Sequence, residues 1–402
     1  MVEKKTKRKR MADGAKGSRG ERLAFVVQGS TKRYKKAVLS PARDHDMLVV
    51  PRVSTGLYGL DVATNGGIPL RRVTLVYGGK SGGKTTTFLR ALGRAQRLCA
   101  NCSQPGEFKE GTIELPNLKT GKVEKVKTDI ITDCPCGNPR DTLGLWIDAE
   151  GVWLPSWAER MGVDTKKVIL MRPTYGEQAY DIITAFAELQ EIDIIVVDSL
   201  AALTPAEEHE AEMEEKQQGA AARMNNKFIR KIVGLMNEAY QNDKPMTVWL
   251  INQYRQKIGV TFGPSEVVPG GKGQHFANTM EIEFRPGKVE IDKEAGEPLI
   301  GDFYYHVKRN KVGPPGGKGT FRQWMSNTDV FKLGDLMEHE AVIEKAVALG
   351  FVERPSKVTY QYKGQNYRGV STLVRYFGEN PIEFEGLKDQ MLKVKLGIDD
   401  ES

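Results

Sequence analysis

The sequence holds no run of about 18 consecutive apolar residues, so it offers no candidate for a membrane-spanning helix. Cysteine is scarce: four residues in 402, all between Cys99 and Cys136. That clustering excludes a distributed disulfide framework and points to one local site. The first ten residues are basic, but no apolar stretch follows them, which excludes a reading as a secretory signal. What is present fits a soluble protein, with 40% hydrophobic and 28% charged residues, enough apolar material for one large core and one or two small modules.

Acidic charge is in deficit, since 59 Lys and Arg face 52 Asp and Glu, for a net charge of +7. The excess favours a polyanionic partner, and much of it lies before Ala37, including Lys32, Arg33, Lys35 and Lys36. Such an arm binds nucleic acid by neutralising phosphates, or serves as a solubilising tail; the arm alone leaves both readings open. Residues 1 to about 20 are expected to be disordered without a partner, and residues 22–50 to form a small docking helix or strand.

The organising stretch is Val73–Thr87, which predicts a buried strand, a glycine-rich turn and a helix. The turn carries the spacing G-x-x-x-x-G-K-T at Gly78, Gly83, Lys84 and Thr85. Glycines let successive backbone N–H groups point at a phosphate, and the helix adds its positive end. Candidate nucleotide contacts are therefore Gly78, Gly79, Lys80, Ser81, Gly82, Gly83, Lys84, Thr85 and Thr86, with Lys84 on the β and γ phosphates and Thr85 on Mg²⁺. After Lys84, apolar residues at Phe88, Leu89, Leu92, Ala95 and Leu98 recur at helical spacing and predict one face packed on a sheet.

Cys99 and Cys102, then Cys134 and Cys136, form two knuckles around stretches that predict a β-hairpin with its turn near 119–122. Four thiolates so paired suit a closed, structural Zn²⁺ site without a catalytic role; a disulfide or redox pair is the alternative. Three further strands end on polar groups. The first, 143–150, ends on Asp148 and Glu150, making Glu150 a candidate to polarise the water that attacks the γ-phosphate. The second, 192–199, is a near-continuous apolar run ending in Asp198, the form of a Walker B carboxylate holding Mg²⁺. The third, 246–253, ends on Asn252 and Gln253, and Gln253 is placed to sense the γ-phosphate. The long loop 257–272 that follows mixes lysines with apolar residues, as a mobile contact for single-stranded DNA does.

Taken together, 194–205, Gly219 with 221–224, 251–253 and 257–260 resemble the motifs of the RecA-type recombinases in order and near spacing, and the likeness runs with gaps from about Ser54 to about Gly386. The resemblance implies a RecA-like P-loop ATPase core: an α/β fold with a twisted, mostly parallel sheet and helices on both faces. It implies Lys84, Thr85 and Asp198 at ATP and Mg²⁺, Glu150 as catalytic glutamate, Gln253 as sensor, and Trp157 stacked on adenine. Gly219, Arg223, Arg230, Arg255, Lys257, Ile258, Gly259, Phe262, Gly270 and Gly271 would meet single-stranded DNA. Arg309 and Lys311 would reach the ATP of a neighbouring subunit and stabilise its transition-state charge.

The chain also departs from that family's pattern. Lys80 stands where the family has a glutamate, Leu154 where an aspartate helps read adenine, and the cysteine module is an insertion. The long amino-terminal helix of the family is not evident, and a basic arm occupies its place. The expected divisions are a basic oligomerisation segment (1–50), the ATPase core (51–328) with the zinc ribbon (98–137) inserted, and a carboxyl-terminal domain (329–402) receiving double-stranded DNA. In that domain Tyr360, Tyr362 and Tyr367 are expected to pack. The implied function is an ATP-dependent recombinase forming helical filaments on single-stranded DNA in the cytoplasm, at the nucleoid or in a host cell. A branch-migration or helicase motor, a mediator without hydrolysis, and a zinc-dependent DNA binder with a vestigial core are the rivals.

Overall fold

The computed structural model describes residues 17–34, 50–117, 120–210, 219–256, 266–269 and 273–398. Its centre is an eight-stranded sheet running Lys318–Trp324, Pro298–Asn310, Met280–Ile291, Val73–Gly78, Thr247–Gln253, Ile194–Asp198, Gly144–Asp148, Val168–Met171. Neighbours from Met280–Ile291 to Val168–Met171 are parallel, and the two strands at the other end pair antiparallel. The expected α/β class and mostly parallel sheet are thus borne out.

The near-continuous apolar strands follow from cover on both faces. Successive side chains alternate sides. Trp146, Val196, Trp249 and Ile282 face one core with Phe88 and Leu92 of the helix Lys84–Ala95. Leu145, Ile147, Val197, Val248 and Leu250 face a second core with Tyr180 and Ile183 of Gly176–Leu189 and Phe228, Ile229 and Ile232 of Ala220–Gln241. Phe88 stacks on Trp249 at 5.0 Å. Burying each such side chain contributes about 1.5–3 kcal/mol, which is what holds the phosphate-loop helix against the sheet.

Two peripheral units flank this core. The hairpin Glu107–Pro116 with Val123–Asp133 is the ribbon expected between the cysteine knuckles. The carboxyl-terminal unit begins its own elements at helix His339–Ala348 and includes strands Thr359–Tyr362 and Gln365–Arg368. Tyr360, Tyr362 and Tyr367 are buried with Phe377 and Phe384, as expected of packing residues.

The amino-terminal expectation needs correction. A small helix or strand was expected within 22–50 and no long amino-terminal helix was evident, yet a 16-residue helix, Arg19–Tyr34, forms there. A capping box starts it: the Glu21 N–H donates to Ser18 Oγ at 3.3 Å, and the Ser18 N–H to Glu21 Oε2 at 2.6 Å. Leu23, Phe25 and Val27 are exposed along it.

Candidate nucleotide site

The phosphate loop leaves the sheet at Gly78, where a Cβ would fall 1.8 Å from the carbonyl oxygen of Phe284. Only glycine fits so close to a neighbouring strand. Gly83 caps the following helix at φ 84°, a left-handed conformation that glycine adopts without strain. Lys80–Thr86 line a cavity of about 700 Å³ whose far wall is Glu150, Asp198, Ser199, Gln253, Tyr254 and Arg255. Three parallel strands therefore deliver their carboxyl ends to one place, as open α/β sheets do.

Thr85 Oγ1 donates to Asp198 Oδ2 at 2.9 Å. These two hard oxygens beside the loop form a donor set suited to Mg²⁺. Burial pushes Asp198 up to about 7; the Thr85 hydrogen bond opposes this, Glu150 and Asp148 add to it, and Lys84 opposes it. Burial pulls Lys84 below the usual lysine range, against the attraction of Asp198 and Glu150, and its ammonium donates to the Gly79 carbonyl. A cation and a carboxylate each made costly by burial gain from the arrival of opposite charge.

Glu150 Oε1 accepts two hydrogen bonds, from Ser199 Oγ and Gln253 Nε2, each at 2.5 Å. The expected glutamate and sensor amide, more than 100 positions apart in sequence, are thus in direct contact. Asp148, the other carboxylate of that strand end, is buried, accepts the N–H groups of Val152 and Trp153, and pairs with Arg172 Nε at 2.9 Å. It fixes the turn after Glu150 and leaves Glu150 as the carboxylate facing the cavity. Sequence reasoning assigned no role to Ser199, although it directly follows Asp198.

Of the other expected residues, Arg255 lines this cavity, while Trp157, Gly219, Arg223, Arg230, Arg309 and Lys311 do not. Trp157 packs in the cleft at Gly334 and against the core beneath the sheet. Arg309 lies at the end of the strand Pro298–Asn310 and Lys311 directly follows it, its Nζ donating to the Phe276 carbonyl at 2.8 Å. Gly219 caps the helix carrying Arg223 and Arg230, and Arg255 Nη2 donates to the Ala201 carbonyl at 2.6 Å. Lys257, Ile258, Gly259, Phe262, Gly270 and Gly271 lie outside the described residues.

The four cysteines are free thiols whose sulfurs all lie within 4.8 Å of one another. A tetrahedron of 2.3 Å Zn–S bonds has S···S edges of about 3.8 Å. Cys99 and Cys136 are 3.9 Å apart and Cys134 and Cys136 3.1 Å, so the set fits a zinc ion after a small opening. Burial raises the Cys99 thiol, but the backbone donors of Cys102, Arg140 and Asn101 outweigh it and bring it to about 7, toward the thiolate a metal requires.

Comparison with known proteins agrees with this geometry. The RecA N-terminal domain family matches residues 22–104 and 121–327. Protein RecA of Aquifex aeolicus is 30% identical over 378 residues, covering 94% of this chain and 93% of that protein. Protein RecA of Pseudomonas savastanoi pv. phaseolicola is 29% identical over 371 residues, covering 92% and 89%. That of Teredinibacter turnerae is 29% identical over 377 residues, covering 93% and 94%.

Proposed function

The chain belongs to the RecA family of recombination and repair proteins, and from that premise we propose that it is a DNA-dependent ATPase that assembles as helical filaments on single-stranded DNA and exchanges strands with a homologous duplex. The observation that carries the reading is the meeting of Lys84, Thr85, Asp198, Glu150 and Gln253 around one cavity at the strand ends.

In this reading Lys84 and the loop N–H groups of Lys80–Thr86 hold the triphosphate, and Thr85 and Asp198 hold Mg²⁺. The metal, when bound, neutralises charge on the β and γ oxygens. Glu150 orients and deprotonates the attacking water, while Gln253 exchanges its bond to Glu150 for one to the γ-phosphate and so reports nucleotide state to the loop that begins at Lys257. Trp157 lies against adenine. Arg309 and Lys311 act on the nucleotide of the adjacent protomer, because a heterologous contact that does not close builds a helix with each site at a boundary. Gly219, Arg223, Arg230, Arg255 and the 257–271 loop follow the single strand; residues 329–402 receive the duplex. Residues 1–50 serve oligomerisation, 51–328 form the ATPase core, and Cys99, Cys102, Cys134 and Cys136 hold structural zinc in the 98–137 ribbon. The protein acts in the cytoplasm.

The test is phosphate release with and without single-stranded DNA, followed by strand exchange between a circular single strand and a linear duplex. Strong stimulation with joint-molecule formation is expected. Hydrolysis indifferent to DNA would favour a motor or mediator and overturn the proposal.

A further inference from the structure

Glu281 and Glu283 sit on one side of the strand Met280–Ile291, and both are buried, at 4% and 6% exposed. Burying a carboxylate is costly unless it is paired, so each is expected to have a cation close by. For Glu283 the partners are Lys308 Nζ at 2.9 Å, Arg285 Nε at 2.6 Å and the Tyr254 hydroxyl at 2.8 Å, which together hold its carboxyl down at about 2 against the opposing effect of burial. Glu281 is the cross-strand partner of Arg309. Its Oε1 lies 3.3 Å from Arg309 Nε as an ion pair without hydrogen-bond geometry, and its Oε2 lies 3.1 Å from His275 Nδ1.

This pairing leaves something over. The ion pair occupies the Nε edge of Arg309, and the two terminal amino groups have no acceptor among the described residues. The Arg309 side chain is itself 39% exposed. A free arginine at a strand end samples many rotamers, and ordering it costs side-chain entropy. A fixed anion beneath the guanidinium lowers that cost before any nucleotide arrives.

We propose that Glu281 is a positioning residue for Arg309: it anchors the guanidinium by its Nε edge and leaves both terminal amino groups to receive phosphate oxygens from the nucleotide of a neighbouring protomer. Glu283 anchors the adjacent Lys308 and thereby fixes the strand that carries Arg309. The inference rests on the reading that ATP lies at a protomer boundary, and the experiment separates the two.

The first readout is E281Q, which keeps shape and removes charge. DNA-stimulated kcat is expected to fall roughly tenfold with KM for ATP and the DNA-free nucleotide affinity within about twofold, because the protomer's own phosphate loop is intact. The decisive readout is mixing. E150Q has an impaired site of its own but a normal Arg309, whereas E281Q has a normal site but a misplaced Arg309. In a random equimolar filament about a quarter of boundaries join a normal site to a normal Arg309, so activity should rise to about a quarter of the wild-type rate, above either variant alone.

The control mixes E150Q with R309A. Recovery with R309A but none with E281Q overturns the role of Glu281. No recovery in either mixture overturns the boundary reading itself. If the melting curve shows that E281Q does not fold, E281D, which keeps the charge and retracts it by one methylene, takes its place in the same mixture and must recover in the same way.

Discussion

Glu150→Gln separates charge from shape at the centre of the site. In the native protein Glu150 Oε1 is committed to Ser199 and Gln253, each at 2.5 Å, while Oε2 accepts nothing from the described residues. The amide oxygen of glutamine can keep both donors, so the wall of the cavity should survive. The group replacing Oε2 becomes a donor, and a water attacking the γ-phosphate loses the acceptor for its proton. General-base assistance contributes about 10²–10⁴-fold. At 1.36 kcal/mol per tenfold, that is about 2.7–5.4 kcal/mol of barrier. The assay is phosphate release at saturating ATP and single-stranded DNA, beside a fluorescent-nucleotide titration. Lys84 and Thr85 are untouched, so affinity should stay within about threefold. A loss of less than tenfold, or a loss explained by weakened nucleotide binding, would refute the assignment of Glu150 as base.

Three further outcomes are expected. Chelation, or Cys102→Ser, should release zinc measured by elemental analysis and open the 107–133 hairpin to protease, while nucleotide affinity stays unchanged; retained metal would refute the four-thiolate site. Lys388→Met should cost about 3 kcal/mol and lower the melting midpoint by roughly 3–5 °C. Lys388 is buried with its ammonium on Glu338 at 2.7 Å, Glu385 at 2.8 Å and the Gly56 carbonyl at 2.9 Å, so its loss strands Glu338, and adding Glu338→Leu should recover much of the deficit. Asp61 supplies a pH test: burial raises it to about 6, although Ser54 and Thr55 donate to it. Its folded value lies above the unfolded one, so the folded state binds the extra proton, and stability should fall as pH rises from about 4 to about 6, by up to about 3 kcal/mol. Urea midpoints should show that dependence reduced in Asp61→Asn; an unchanged slope would refute it.

Much of the candidate site was legible because its signals are local. The phosphate loop needs consecutive residues, and strands covered on both faces must be apolar throughout, so Val73–Thr87 and the run ending at Asp198 announce themselves. The helix Arg19–Tyr34 was equally local, through Ser18 and Glu21, but its basic composition masked the capping box. Burial of Tyr360, Tyr362 and Tyr367 could be anticipated from residue type, yet which partners they meet depends on how the helices fold over them.

The sequence by itself determined the class of fold, the phosphate-loop motif, the pairing of cysteine knuckles around a ribbon and the family, since each is written in spacing along the chain. Only the tertiary structure decided which of two neighbouring carboxylates faces the cavity, that Glu150 shares a hydrogen-bond network with Ser199 and Gln253, and that Glu281 lies under Arg309. Those are contacts between strands adjacent in the sheet but remote in sequence. Their geometry is set by strand order and register, which no local pattern encodes.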